Sequence, residues 1–172
     1  MAVVSNTAPV RRNSHLVPAV LALAVCGLVS PLHVTLFGAS WPLIWLPLAV
    51  VALWPRQASA LPSAVLLLLG GLWVDWATLG APGQWALVFL VTYAVMRPDQ
   101  SEPRRGLISA YARAGLALLV AVPVLALVGR GVYGVWPDWL VLGRGVSVML
   151  LALPAIALIR DLLAGRASRY DD

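Results

Sequence analysis

Residues 70–87 read GGLWVDWATLGAPGQWAL, an apolar stretch that contains one acidic residue, Asp75, followed by a turn rich in glycine and proline. The run AVLLLLG (64–70) leads into this stretch and is apolar enough to belong to a membrane-spanning helix. A carboxylate inside a membrane is costly unless it has a partner or reaches water. The fold therefore depends on where Asp75 lies along its span.

The composition of the whole chain indicates a membrane protein. Of its 172 residues, 61% are hydrophobic and only 11% are charged. A soluble domain has about a quarter of its residues charged, so this chain has too few charges to cover a water-facing surface. The apolar runs lack the period-2 alternation of an outer-membrane barrel. We therefore expect an all-α, polytopic membrane protein.

Six apolar segments predict six transmembrane helices in a single domain, residues 16–159, between two polar tails, 1–15 and 160–172. The second segment has 14 residues and two prolines, Pro42 and Pro47, and Trp41 and Trp54 bracket it like interfacial anchors. Whether it spans fully, or is tilted or re-entrant, stays open. The predicted segments are 16–37, 41–54, 61–78, 83–96, 107–128 and 140–159.

The arginines predict the orientation of these spans. Every basic residue of the chain is arginine, and the positive-inside rule places arginine-rich loops in the cytoplasm. With six spans and an inside N-terminus, Arg130 alone lies in an outer loop, and Arg113 and Arg144 lie within spans. The other nine lie inside, at Arg11, Arg12, Arg56, Arg97, Arg104, Arg105, Arg160, Arg166 and Arg169. We therefore expect both termini to be cytoplasmic.

This orientation places Asp75 near the outer end of the third span, and Arg144 about two turns below the outer end of the sixth. Two interpretations of Asp75 follow. It pairs with Arg144 or shares an outward-facing polar cavity with it, or it reaches interfacial water and caps the turn. Either way, both residues are expected to be structural polar anchors. Arg113, near the inner end of the fifth span, is expected to extend its side chain to the inner headgroups.

Small residues mark two further features. Gly71 precedes Asp75 by one helical turn, and Gly80, Pro82 and Gly83 form the predicted tight return, with Pro82 in the first turn of the next helix. Four alanines at spacings of four, three and four define one face of the fifth span. This face either packs within the bundle or docks a transmembrane helix of another protein. The alanines are Ala110, Ala114, Ala117 and Ala121.

The sequence offers little for catalysis. The two histidines, His15 and His33, lie far apart, and neither a HExxH nor a GxSxG motif nor a phosphate-binding glycine loop is present. No metal-binding cluster is recognisable, and Cys26 is the single cysteine. We expect no enzymatic activity, no cofactor and no metal. The positive charge is explained by the inner loops and does not indicate nucleic-acid binding.

The central segment, ALWPRQASALPSAVLLLLGGLWVDWATLGAPGQWALVFL (52–90), resembles the MreD family of bacterial rod shape-determining inner-membrane proteins. The matching pattern is an apolar block, an Arg/Pro turn, a helix ending in Gly-x-x-x-Asp, and a Gly/Pro turn before residues like WAL. Pro55 and Arg56 supply the first turn, Gly71 and Asp75 the helix end, and Gly83 the second turn. The resemblance covers residues 42–98, and the remainder matches in hydropathy and length.

This resemblance implies a fold like that of the substrate-binding subunits of energy-coupling-factor vitamin transporters. It also implies a non-enzymatic scaffold of cell-wall elongation in the inner membrane. The implied direct partner is MreC, through its transmembrane helix, within a larger complex of MreB, RodA and a class B penicillin-binding protein. The alternative is a transporter subunit that binds a vitamin-like small molecule in an outer cavity. Asp75, Arg144 and the tryptophans Trp73, Trp76, Trp85, Trp136 and Trp139 would line that cavity.

Overall fold

The computed structural model describes residues 16–36, 38–55, 58–97 and 107–169, and of residues 36, 107 and 160–169 it describes the backbone only. The described chain is mostly helical, as the sequence predicts. Its elements are α1 (Leu16–Val29), β1 (His33–Leu36), β2 (Ala39–Pro42), α2 (Leu46–Ala52), α3 (Ala60–Ala77), α4 (Gln84–Met96), α5 (Leu107–Tyr133) and α6 (Trp139–Arg169).

Three helices among the described residues are long and apolar enough to cross a membrane. Two more, α1 and α4, are apolar but have only 14 and 13 residues. At about 1.5 Å per residue, α4 is roughly 20 Å long, which is less than a hydrocarbon core of about 30 Å. The three long apolar segments are Ala60–Ala77, Ile108–Tyr133 and Trp139–Ile159.

The first predicted span, 16–37, is helical only as far as Val29, so its last part is wrong. Helix α1 ends at Val29, and an antiparallel hairpin follows, in which His33 pairs with Pro42 and Leu36 with Ala39. The helix stops there because a residue that precedes a proline, here Ser30 before Pro31, is disfavoured in the α conformation. Hydropathy alone could not separate the helix from the hairpin, because both are apolar.

The second predicted segment is divided between β2 and α2. Helix α2 has seven residues, of which only Leu46 is not fully buried, and it packs against α1, α4, α5 and α6. It therefore forms the centre of the bundle. Trp54, expected to be an interfacial anchor, is also buried, with 2% of its surface exposed. A helix of seven residues is about 10 Å long and does not span a bilayer by itself.

Close contacts at glycines define the direction of the helices. A Cβ atom on Gly70 would collide with the side chain of Leu23, and one on Gly27 would lie 3.0 Å from the Trp73 ring, so α1 and α3 run parallel. Helix α4 returns antiparallel to α3. We call the end of the bundle with the α3–α4 connection, residues 78–83, the turn end. The opposite end, with Trp54, Arg97 and Arg113, is the arginine end.

Candidate functional site

The site that the sequence singles out lies at the turn end, where α3 stops and α4 begins. Helix α3 closes with two hydrogen bonds, from the Gly80 N–H to the Asp75 carbonyl (3.0 Å) and from the Leu79 N–H to the Trp76 carbonyl (3.3 Å). This is the Schellman pattern of a helix C-terminus. Its left-handed residue is Leu79, with φ +52°, and not Gly80, which is one of the three residues of the predicted tight return.

A second turn follows immediately. The Gln84 N–H donates to the Ala81 carbonyl at 3.1 Å, and Gly83 has φ +88° and ψ −3°. With Pro82 at its second position and Gly83 at its third, this is the sequence preference and geometry of a type II turn. Gly83 thus has the turn role that was predicted. Pro82 lies just before α4 and not within its first turn, because α4 begins at Gln84.

Asp75 links the two helices across this turn. Its Oδ2 accepts the Gly83 N–H at 2.8 Å, and its Oδ1 accepts the Trp85 N–H at 2.9 Å. The N-cap residue of α4 is Gly83, which has no side chain to accept the N–H groups left free at a helix start. The carboxylate of the preceding helix takes this role, and its negative charge is favourable at a helix N-terminus.

The burial of Asp75 agrees with this role. The residue is 3% exposed, so it does not reach water in the described structure. Of the two interpretations from the sequence, capping of the turn describes the geometry. Among the described residues, Asp75 forms no ion pair with Arg144, which lies half-buried on α6. Helix α3 packs mainly on α4 and α1, which leaves its carboxylate directed at α4.

Gly71 allows the helices to approach closely enough for these hydrogen bonds. A Cβ atom at Gly71 would lie 2.3 Å from the Ala86 Cα and 2.4 Å from the Ala86 nitrogen. Both distances are far inside van der Waals contact, so only glycine allows the α4 backbone at this position. Gly71 and Asp75 are one helical turn apart on the same face of α3. Gly71 touches the α4 backbone at Ala86, and Asp75 accepts hydrogen bonds from the N–H groups at the start of α4.

We call the contact between α3 and α4 at the turn end the α3–α4 joint. An aromatic cluster lies beneath it, which the sequence did not predict. The Trp45 and Trp85 rings meet edge to face, with centroids 5.7 Å apart, and Phe89 lies 5.9 Å beyond Trp85. Gly145 of α6 contacts the other side of Trp45, where a Cβ atom would lie 2.1 Å from the ring. A small residue in an apolar helix is a signal of close packing, but its partner is not readable from the sequence.

The alanine face of α5 is inside the bundle. Ala110 is 5% exposed and the other three alanines are fully buried, while α5 packs against α4, α6 and α2. Of the two alternatives for this face, packing within the bundle describes it. The face is therefore covered in this structure and does not offer a surface to a helix of another protein.

The arginine end has a different polar contact. Arg113 donates from Nη2 to the Trp54 carbonyl at 3.3 Å, just past the end of α2. A cation near a helix C-terminus is favourable because the terminal carbonyls carry partial negative charge. Arg113 was expected to reach the lipid headgroups. In the structure its guanidinium contacts the end of the central helix, and beside it lies a small cavity of about 20 Å³.

The tryptophans that were assigned to an outer cavity differ in their burial, although the Trp73 and Trp76 rings are neighbours with centroids 5.5 Å apart. Trp85 is buried against Trp45, whereas the other four have between 42% and 71% of their surface exposed. The four exposed residues are Trp73, Trp76, Trp136 and Trp139. Both oxygens of Asp75 are bonded to the start of α4, so the carboxylate is already used within the chain. Within the described residues, no group of three or more potential metal ligands is found.

No known protein family, curated protein or solved structure was found to match this chain.

Proposed function

We propose that the protein is a non-enzymatic scaffold of the cell-wall elongation machinery, of the MreD type, in the bacterial inner membrane. The observation that carries this proposal is the α3–α4 joint. The residues that resemble the MreD pattern, Gly71, Asp75 and Gly83, meet at one place with a shared structural role. Their spacing is accounted for by the close approach of two helices, which requires no substrate.

The chemistry of Asp75 supports a structural role over a catalytic one. A general acid or base must be within hydrogen-bond reach of a substrate and able to exchange a proton. Both oxygens of Asp75 accept backbone N–H groups, and the residue is buried. A carboxylate in this position stabilises the joint and has no free oxygen directed at a bound molecule.

The same geometry weakens the alternative of a vitamin-binding transporter subunit. Such a cavity was to be formed by Asp75, Arg144 and a set of tryptophans. The carboxylate is used within the chain, and four of the five tryptophans are exposed in the manner of interfacial anchors. The observations therefore favour the scaffold.

The proposed scaffold has both termini in the cytoplasm, with the arginine end facing inward. The parallel course of α1 and α3 supports this arrangement, because it places the start of α1 at the arginine end, beside the start of α3. The connection through α2 must then run back across the bundle. MreC would dock through its transmembrane helix on lipid-facing helix surfaces, since the alanine face of α5 is occupied. MreB, RodA and a class B penicillin-binding protein would join in a larger complex.

Depletion of the protein in its rod-shaped host tests the proposal. The cells should become round, and the wild-type chain should restore their shape and co-purify with MreC. The variant Gly71→Leu should restore neither, whereas Gly115→Leu, at a position open to the surroundings, should restore both. Depleted cells that keep a normal rod shape but require a vitamin would overturn the scaffold and favour the transporter subunit.

A further inference from the structure

The small cavity at the arginine end has a lining that the scaffold role does not use. It lies where α2 and α4 both end, and Val51 and Met96 provide apolar walls. Its polar lining residues are Trp54, Tyr93, Arg97 and Arg113. Indole and guanidinium groups donate hydrogen bonds and do not accept them, and a tyrosine hydroxyl does both. None of the described lining residues is acidic, so the side chains that line the cavity are mainly donors, and the Trp54 carbonyl beside them is taken by Arg113.

One of these donors is buried without an acceptor. The Trp54 side chain is 2% exposed, and its indole N–H has no hydrogen-bond partner in the described structure. Buried N–H groups are nearly always paired with protein or with a bound molecule, and an unpaired one is destabilising. Nearby Thr92 and Ser63 also have unpartnered hydroxyls, but these can rotate toward a helix carbonyl, whereas the indole N–H is fixed in its ring. The Trp54 indole N–H therefore lacks the acceptor that a buried donor normally has.

The charge balance favours an anionic acceptor. Two helix C-termini, those of α2 and α4, bring about half a negative charge each. Arg97 and Arg113 bring two positive charges, so the net charge is about +1. Arg113 is already engaged by the Trp54 carbonyl. Arg97 is exposed at the end of α4, so its guanidinium is accessible from outside.

The volume and depth of the cavity narrow the choice of ligand. About 20 Å³ is room for a water molecule or a single oxygen of a larger group. Arginine matches the geometry of phosphate oxygens, and basic pockets between transmembrane helices on the cytoplasmic side bind lipid headgroups. The cavity lies where α2 and α4 end, at the end of the bundle that the proposed orientation turns toward the cytoplasm.

We propose that this cavity and its mouth bind a phosphate group, supplied by the headgroup of a membrane lipid. One phosphate oxygen enters the cavity toward the Trp54 indole, and Arg97 binds the remaining charge at the mouth. The inference takes the inward orientation of the arginine end from the proposed function, but it does not rest on the α3–α4 joint or on any wall-synthesis partner.

Native mass spectrometry of the full-length, delipidated protein tests this site. Phosphatidylglycerol, phosphatidylcholine and soluble glycerol phosphate are each added, and the variants Arg97→Gln and Trp54→Phe are compared with the wild type. Arg97→Gln should weaken phosphatidylglycerol binding about tenfold, the value of one charge-assisted hydrogen bond. Trp54→Phe keeps an aromatic ring, removes the N–H and should weaken binding about threefold to tenfold.

The control is Arg130→Gln, which removes the same charge from an exposed position on α5 that is far from the cavity. It should bind phosphatidylglycerol within about twofold of the wild type. Equal binding by all three variants would overturn the proposal and leave a bound water as the occupant of the cavity. Glycerol phosphate that competes as strongly as the lipid, with the same loss in Arg97→Gln, would overturn the lipid source and identify a free phosphate.

Discussion

At the turn end, Asp75 binds two backbone N–H groups at the start of α4, while at the arginine end Arg113 binds a backbone carbonyl past the end of α2. Each residue has the charge that complements the helix terminus it meets. The two shortest described helices, α2 and α4, are thus each bonded at one end by a side chain from a longer neighbour. Short helices gain little from their own hydrogen bonds, so such contacts matter more for them.

The two ends differ in how tightly they are closed. At the turn end, the α3 and α4 backbones touch at Gly71, and Asp75 is buried. At the arginine end, the hydrogen bond of 3.3 Å between Arg113 and the Trp54 carbonyl lies beside a cavity, and Arg113 is half-buried. The turn end is therefore the more tightly packed of the two, whereas the arginine end has space beside its polar contact. Substitutions at the turn end should therefore have the larger effects on stability.

The largest effect is expected for Gly71→Ala. The new methyl group would lie 2.3 Å from the Ala86 Cα, and two backbones cannot move apart as a side chain can. We expect a loss of about 3 kcal/mol or more in the free energy of unfolding, measured by SDS titration in mixed micelles. The control is Gly115→Ala, where no atom is near and the change should be neutral or slightly stabilising. Equal stability of the two variants would contradict the close contact.

The second effect is expected for Asp75→Ala, which leaves two N–H groups at the turn end without an acceptor. Because the Trp85 N–H is buried and the Gly83 N–H is partly buried, the variant should lose about 2 kcal/mol of unfolding free energy. Asp138→Ala is the matched control. Asp138 also accepts two N–H groups, those of Leu140 and Val141 at the start of α6, but it is exposed.

Water can replace the carboxylate of Asp138, so its removal should cost about 0.5 to 1 kcal/mol. The same SDS titration measures both variants. If Asp138→Ala proved as destabilising as Asp75→Ala, burial would not be the reason for the strength of the turn end.

The sequence predicted the turn end better than the arginine end, and the reason is physical. Asp75, Gly71 and Gly83 interact within a short segment, so their spacing alone carries the geometry. Arg113 and Trp54 are 59 residues apart, and no local pattern connects them. The prediction of an Asp75–Arg144 pair used depth in the membrane, which does not determine which way a helix faces.

The fold shows the same limit. Hydropathy predicted the positions of α3, α4 and the core of α5 and α6, because a long apolar run can form few structures other than a helix. It was wrong for the residues of β1 (His33–Leu36) and for Trp41 and Pro42 of β2 (Ala39–Pro42), because these two strands form a hairpin, with Gly38 at φ +74°. It also could not show that α2 is central, since burial by protein and exposure to lipid favour the same apolar residues.

A smaller loss of unfolding free energy is expected for Arg113→Gln at the arginine end. The change removes a cation near the C-terminus of α2, an interaction of about 1 kcal/mol in a half-buried setting. Arg113→Lys keeps the charge and should recover part of the loss. Unfolding free energies of the two variants, compared with that of Asp75→Ala, measure the difference between the ends directly. A loss for Arg113→Gln that exceeds that of Asp75→Ala would reverse the comparison.

The smallest effect, of opposite sign, is expected for Leu79→Gly in the tight turn end. Leu79 has a left-handed backbone, which costs a non-glycine residue about 1 kcal/mol, and its side chain is 92% exposed, so little packing is lost. The variant should be neutral or up to about 1 kcal/mol more stable in SDS titration. Leu79→Ala is the control, since it removes the apolar side chain but keeps the strained backbone. If alanine stabilises as much as glycine does, the exposed leucine side chain is the cause, and the left-handed backbone at Leu79 carries no cost.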